Sequence, residues 1–205
     1  MTQNLPVMQI RDFSGNKTAL VIIDMINGFL TEGTLASERC AGILPAVEKL
    51  LNLAKENKIP CIAFADAHES DCPEFASFPL HCLKNTSESE LAPSLKKIGG
   101  FQTIEKNSTN GFFAPDFQKF LKQHPDLENV ILCGVCTDIC VMQFALTLKS
   151  FYNQNQKNLH IYIPVNAVET YDAPGHNADQ MQMAALQILE QAGIILISEV
   201  KDDEK

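Results

Sequence analysis

Six apolar runs punctuate the chain, at Ala19 to Ile23, Pro60 to Ala65, Phe101 to Glu105, Val130 to Cys133, His160 to Pro164 and Ile194 to Ser198. They read as runs rather than strict alternations, as strands do when both faces of a sheet are covered. Between them, residues 43–57, 115–123, 138–153 and 176–192 carry apolar positions at helical spacing. In the last, Met183, Leu186, Ile188, Leu189 and Ala192 share a face, and Gly193 stands where a helix should end. Strands alternating with helices predict a three-layer α/β fold, an open parallel six-stranded sheet, doubly wound with right-handed crossovers. Such sheets bind ligands at the carboxyl ends of their strands, so chemistry is sought just after each apolar run.

Asp24 closes the first run, Asp66 and His68 the second and Lys106 the third, while Gly134 to Cys140 follow the fourth. Taken singly, each is better explained as a turn former or helix cap. Together they bring acid, imidazole, ammonium and thiol to one rim. Thr137 is a natural N-cap, which would put Cys140 in the first turn of the next helix, where the positive dipole end favours a thiolate. The plainer alternative is a small apolar core residue, as a free buried cysteine usually is. Cys133-Gly-Val-Cys136 also spells a CxxC, a redox pair or half a zinc site. Against it, Cys133 falls inside the apolar strand and no second CxxC appears.

Asp66-Ala-His68 turns two side chains to one side of an extended segment. With Glu74 and His81 in the loop beyond, it offers two carboxylates and two imidazoles, a donor set for zinc, manganese or iron. The competing reading is a solvated loop with scattered acids and histidines.

Composition narrows the field. The 205 residues contain no low-complexity stretch and are expected to form one domain over residues 1–205. Net charge is −9 without a basic cluster, which argues against a nucleic-acid partner. Its acids are scattered apart from the tail Asp202-Asp203-Glu204. The apolar runs are too short to span a membrane. Met1 to Phe13 lacks the pattern of a secretory signal, and seven cysteines without scaffold spacing point to reduced thiols and a cytoplasmic protein. The expected partner is a small molecule.

Asp24-Met-Ile-Asn-Gly-Phe29, Asp66-Ala-His68, Phe78-Pro-Leu-His81-Cys82, Lys106 and Gly134-Val-Cys-Thr-Asp-Ile-Cys140 together resemble the isochorismatase-like cysteine hydrolases, and among them the nicotinamidases. The resemblance runs from about Lys17 to about Ser198. It implies a hydrolase of linear amides, converting nicotinamide and water to nicotinate and ammonia through a thioester. Catalysis would fall to Asp24, Lys106 and Cys140, with the Cys136 and Cys140 backbone N–H groups holding the oxyanion. Phe29 and Phe78 would sandwich a pyridine ring. Asp66, His68, Glu74 and His81 would hold one divalent metal, zinc before manganese or iron. A cis peptide between Val135 and Cys136 and a homo-oligomer are also implied. The alternatives are another amidase of the superfamily, acting on a ureido, carbamoyl or non-aromatic amide, and a non-catalytic thiol-sensing or interaction module.

Overall fold

A computed structural model describes residues 5–13 and 15–203. Met1 to Asn4, the start of the segment read above for a signal, and Glu204 of the acidic tail lie outside the described residues. In chain order the strands are β1 (Val7–Gln9), β2 (Thr18–Ile23), β3 (Cys61–Asp66), β4 (Gln102–Lys106), β5 (Asn129–Val135), β6 (His160–Pro164), β7 (Val168–Glu169), β8 (Ile195–Ile197) and β9 (Glu199–Lys201). The helices are α1 (Asn27–Leu30), α2 (Glu38–Gly42), α3 (Leu44–Glu56), α4 (Pro93–Ile98), α5 (Pro115–Gln123), α6 (Met142–Gln154) and α7 (Ala178–Gln191).

The six expected strands form one parallel sheet in the order β4-β3-β2-β5-β6-β8, and β7 adds a short pairing beside β5. β1 and β9 make a separate parallel pair that the apolar pattern did not signal. α1, α2 and α4 were also unanticipated, being too short for a helical period to show. α7 begins at Ala178 rather than His176 because Asn177 caps it, its side chain accepting the Gln180 N–H at 3.0 Å. Gly193, with φ 82°, follows its last turn as expected.

Layering follows from the pleat. On β2, Leu20 and Ile22 face a core shared with α3 and α4, whereas Ala19, Val21 and Ile23 face Phe117, Phe120 and Phe144 of α5 and α6 and Leu189 of α7. Both faces are therefore dry, which is why the strands read as runs. From β2 the chain winds outward through β3 and β4, then returns to lay β5 on the other side of β2. The crevice of a doubly wound sheet opens at such a reversal, here beyond the carboxyl ends of β2 and β5. Gly134 of β5 makes this close: it pairs with Ile23, and a Cβ there would lie 2.0 Å from the Ile23 carbonyl oxygen. Its φ of 115° is also one that side-chain-bearing residues rarely adopt.

Candidate active site

Asp24 leaves β2 with φ 50°, a left-handed bend that aspartate tolerates better than most residues, and its carboxyl is fully buried. Asp66 and Lys106 end β3 and β4 as register partners, one residue inside their strands rather than beyond them. The Lys106 ammonium pairs with both acids, with Nζ 2.8 Å from Asp24 Oδ2 and in contact with Asp66 Oδ1. It also donates to the Ser108 carbonyl at 3.1 Å and lies 3.9 Å from Cys140 Sγ. The three residues of the expected triad are thus together, and Asp66 joins them.

Cys140 does not sit in the first turn of an ordinary helix. Thr137–Val141 is a π-helical turn leading into α6, a rare form that recurs at functional sites. Cys136, not Thr137, is the capping position; its carbonyl accepts the Ile139 and Val141 N–H groups, both at 3.1 Å. Thr137 Oγ1 is buried without a hydrogen-bond partner among the described residues. The peptide between Val135 and Cys136 is cis.

The electrostatics outweigh any thiolate-favouring effect of the turn. Burial pushes the Cys140 thiol well above its ordinary value, Asp24 and Asp66 add to this, and Lys106 opposes it only in part. Burial, and secondarily Asp66, raise Asp24 to about 7 despite the favourable Lys106 charge. Burial alone would discharge Lys106, but Asp24, Asp66 and Cys140 hold it well above the usual lysine value. At neutral pH the site therefore holds an ammonium, a neutral thiol and a carboxyl poised to change state.

Donor atoms of Asp66, His68 and His81, all buried, lie within 4.8 Å of one another. Asp66 Oδ2 is 3.6 Å from His68 Nε2, which makes no hydrogen bond among the described residues. His68 Nδ1 lies 3.1 Å from Asn107 Oδ1, and His81 Nδ1 lies 2.7 Å from the Pro79 carbonyl, to which it can only donate. These bonds leave both Nε2 atoms for a cation. One carboxylate and two imidazoles fit zinc and its neighbours. Burial lowers His68, but Asp66 and Asn107 outweigh it and carry the imidazole to about 9; burial likewise opposes the Asp66 charge, yet Lys106 and His68 hold that carboxyl below its usual range. Glu74, the fourth expected ligand, groups instead with His68 and Cys72. Its Oε2 accepts the Thr109 N–H at 3.1 Å, and its Oε1 is buried without a partner among the described residues.

Cys140, Cys136, Asp66, Glu74, His81, Phe29 and Phe78 all line one cleft. The Phe29 and Phe78 rings lie 5.9 and 6.2 Å from the His81 ring. Ile139 also lines the cleft, as do Leu35, Thr109 and Tyr171, which sequence reasoning passed over. No motif marks them. Asn107 was likewise missed, although its place directly after Lys106 was a usable signal. Of the CxxC, Cys133 is buried in the core while Cys136 faces the cleft, and all seven cysteines are free. Among the described residues no helix is long and apolar enough to cross a membrane.

A buried acid, lysine and cysteine stand together at the switch point of the doubly wound sheet. The Isochorismatase domain profile matches residues 18–198, and the chain belongs to that family. Among its relatives is nicotinamidase 1 of Arabidopsis thaliana, 32% identical over 202 residues, covering 87% of this chain and 79% of the relative. Solved structures of the same fold include a pyrazinamidase of Pyrococcus horikoshii in complex with zinc, 24% identical with a TM-score of 0.73 over 88% of this chain and 98% of that one. They also include N-carbamoylsarcosine amidase of Thermoplasma acidophilum, 23% identical with a TM-score of 0.73 over 88% of this chain and 95% of that one.

Proposed function

We propose that the chain, an isochorismatase-family amidohydrolase, hydrolyses nicotinamide to nicotinate and ammonia with Cys140 as nucleophile. The observation that carries this is one lysine placed against Asp24 at 2.8 Å and Cys140 at 3.9 Å, beside a cleft lined by Cys140, Asp66 and His81, the last two converging with His68 as metal donors. With the thiol neutral at rest, Asp24 takes its proton as sulfur bonds to the amide carbon. The oxyanion is held by the Cys136 and Cys140 backbone N–H groups. When the tetrahedral species collapses, the carbon–nitrogen bond breaks and Asp24 returns the proton to the departing ammonia. Water then attacks the thioester, Asp24 takes a proton from it, and Cys140 recovers its hydrogen as the carbon–sulfur bond breaks. Lys106 stays charged throughout and keeps Asp24 from being discharged by its own burial.

Asp66, His68 and His81 hold a divalent metal, zinc by preference, with Glu74 beside them. When bound, it supplies a Lewis-acid anchor for the ring nitrogen. Phe29 and Phe78 supply apolar faces for a planar ring. The similarity to N-carbamoylsarcosine amidase keeps a ureido or carbamoyl amide as the second reading. The buried donor set favours the first.

Ammonia release from nicotinamide, measured beside metal content, tests the proposal. The expected result is about one transition-metal ion per chain and activity lost in Cys140→Ala. Equal, slow release by wild type and Cys140→Ala would overturn it, and a metal-free protein that releases ammonia from a ureido or carbamoyl amide but not from nicotinamide would favour the second reading.

A further inference from the structure

Tyr171 is far from every motif in sequence, yet it lines the cleft. β7 brings it there: Val168 and Glu169 pair with Gly134 and Val135 at the end of β5, so the following residues emerge beside the nucleophile turn. The His176 ring stacked on Tyr171 reaches Asp138 of the turn that carries Cys140, which sets Tyr171 on that side of the cleft. Its phenol is pushed up by burial first and then by neighbouring Cys136 and Asp138.

The ring is held by an unusually complete bracket. The His176 ring stacks on Tyr171 with centroids 4.0 Å apart and planes 3° from parallel. His176 Nδ1 lies 3.0 Å from the Tyr171 carbonyl, and its Nε2 lies 2.7 Å from Asp138 Oδ2. Asp138 belongs to the π-helical turn that carries Cys140, and its other oxygen accepts the Thr170 hydroxyl at 2.5 Å. Reciprocal backbone hydrogen bonds between Ala173 and His176, at 3.0 and 2.9 Å, close the segment over Pro174 and Gly175, with Gly175 at φ 82°. Proline followed by a positive-φ glycine is the signature of a tight, stiff turn. A surface turn thus has one face pinned to the nucleophile turn and the other forming pocket wall.

We propose that Tyr171 is a specificity residue that limits bulk at the amide nitrogen, and that His176 and Asp138 are positioning residues that hold it against the cleft. This rests on the amidase reading above. A rigid ring on the side of the Cys140 turn leaves room for an unsubstituted carboxamide and excludes N-alkyl amides, whose extra carbon would meet the phenol. Because the wall and the nucleophile share Asp138, loosening the bracket also relaxes the wall.

The test compares kcat/KM for nicotinamide and for the N-methylamide of nicotinic acid. Wild type is expected to favour the primary amide, and Tyr171→Ala to shrink that ratio about tenfold, as a methyl-sized change in a pocket does. Tyr171→Phe keeps the ratio, since the ring and not the hydroxyl forms the wall. His176→Ala moves it in the same direction as Tyr171→Ala, and adding it to Tyr171→Ala produces no further change, as expected of residues acting as one unit. An unchanged ratio in Tyr171→Ala overturns the proposal.

A second readout does not need turnover: mass-spectrometric rates of Cys140 alkylation by iodoacetamide and by its N-benzyl derivative. Wild type is expected to disfavour the bulky reagent and Tyr171→Ala to lose that preference; equal preference in the two proteins overturns the wall. If wild type hydrolyses neither amide, the functional reading fails, and alkylation still decides the role of Tyr171.

Discussion

Asp66 and Lys106 face each other as register partners at the ends of adjacent strands, and their side chains form a buried ion pair. The same ammonium also pairs with Asp24. The candidate metal donors and the candidate catalytic acid are therefore joined through one lysine, so perturbing either side should be felt by the other.

Replacing Lys106 by methionine leaves two buried carboxylates without their counter-charge. Removing one member of a buried charge cluster typically costs about 3–5 kcal/mol. Urea denaturation of Lys106→Met should show a loss of that size, together with loss of ammonia release. A variant as stable as wild type would mean that the cluster is not held by charge.

The Asp24 carboxyl, raised to about 7, sets a sign for pH dependence. A general base works only when deprotonated, so kcat/KM should rise with pH through about 7 and fall roughly tenfold per unit on the acid side. Asp24→Asn should remove this limb and lower activity by about 10²–10⁴-fold. A profile flat from pH 5 to 8 in wild type would assign the base elsewhere.

Because the Cys140 thiol is held neutral at rest, iodoacetamide should modify it slowly at neutral pH in the free protein, at a rate that climbs as pH rises. Fast, pH-independent alkylation would instead mark a preformed thiolate. Cys140→Ala should retain the wild-type fold by circular dichroism and lose activity by about 10³-fold or more.

His81→Ala removes one of three converging donors. Metal content should drop below stoichiometry, and in titrations with added zinc the apparent affinity should fall about 10- to 100-fold or more. The accompanying rise in KM should exceed the fall in kcat, since in the proposed mechanism these residues hold the ion that would anchor the ring.

At Gly134, alanine would place a methyl group 2.0 Å from the Ile23 carbonyl oxygen in addition to its unfavourable φ. The three nearest atoms are all Ile23 backbone, so nothing can swing away. Gly134→Ala should cost more than about 3 kcal/mol in thermal or urea unfolding, and a silent substitution would mean that β2 and β5 can separate.

Local order was largely legible in the sequence. Runs that are apolar on both pleats fit strands covered on both faces, and in the parallel sheet the polar residues closing them, Asp24, Asp66 and Lys106, emerge on one rim. The short helices and the β1–β9 pair were not legible, because segments of three to six residues show no period and are held by what they pack against. Only the tertiary structure decided that the turn carrying Cys140 is π-helical, that burial holds its thiol well above the usual value, that Glu74 groups with His68 and Cys72 rather than with Asp66 and His81, and that Tyr171 lines the pocket. These are properties of distance and burial between distant segments. A residue's chemistry is written in its own letter, whereas its charge state and its neighbours depend on how closely the folded chain brings the others to it.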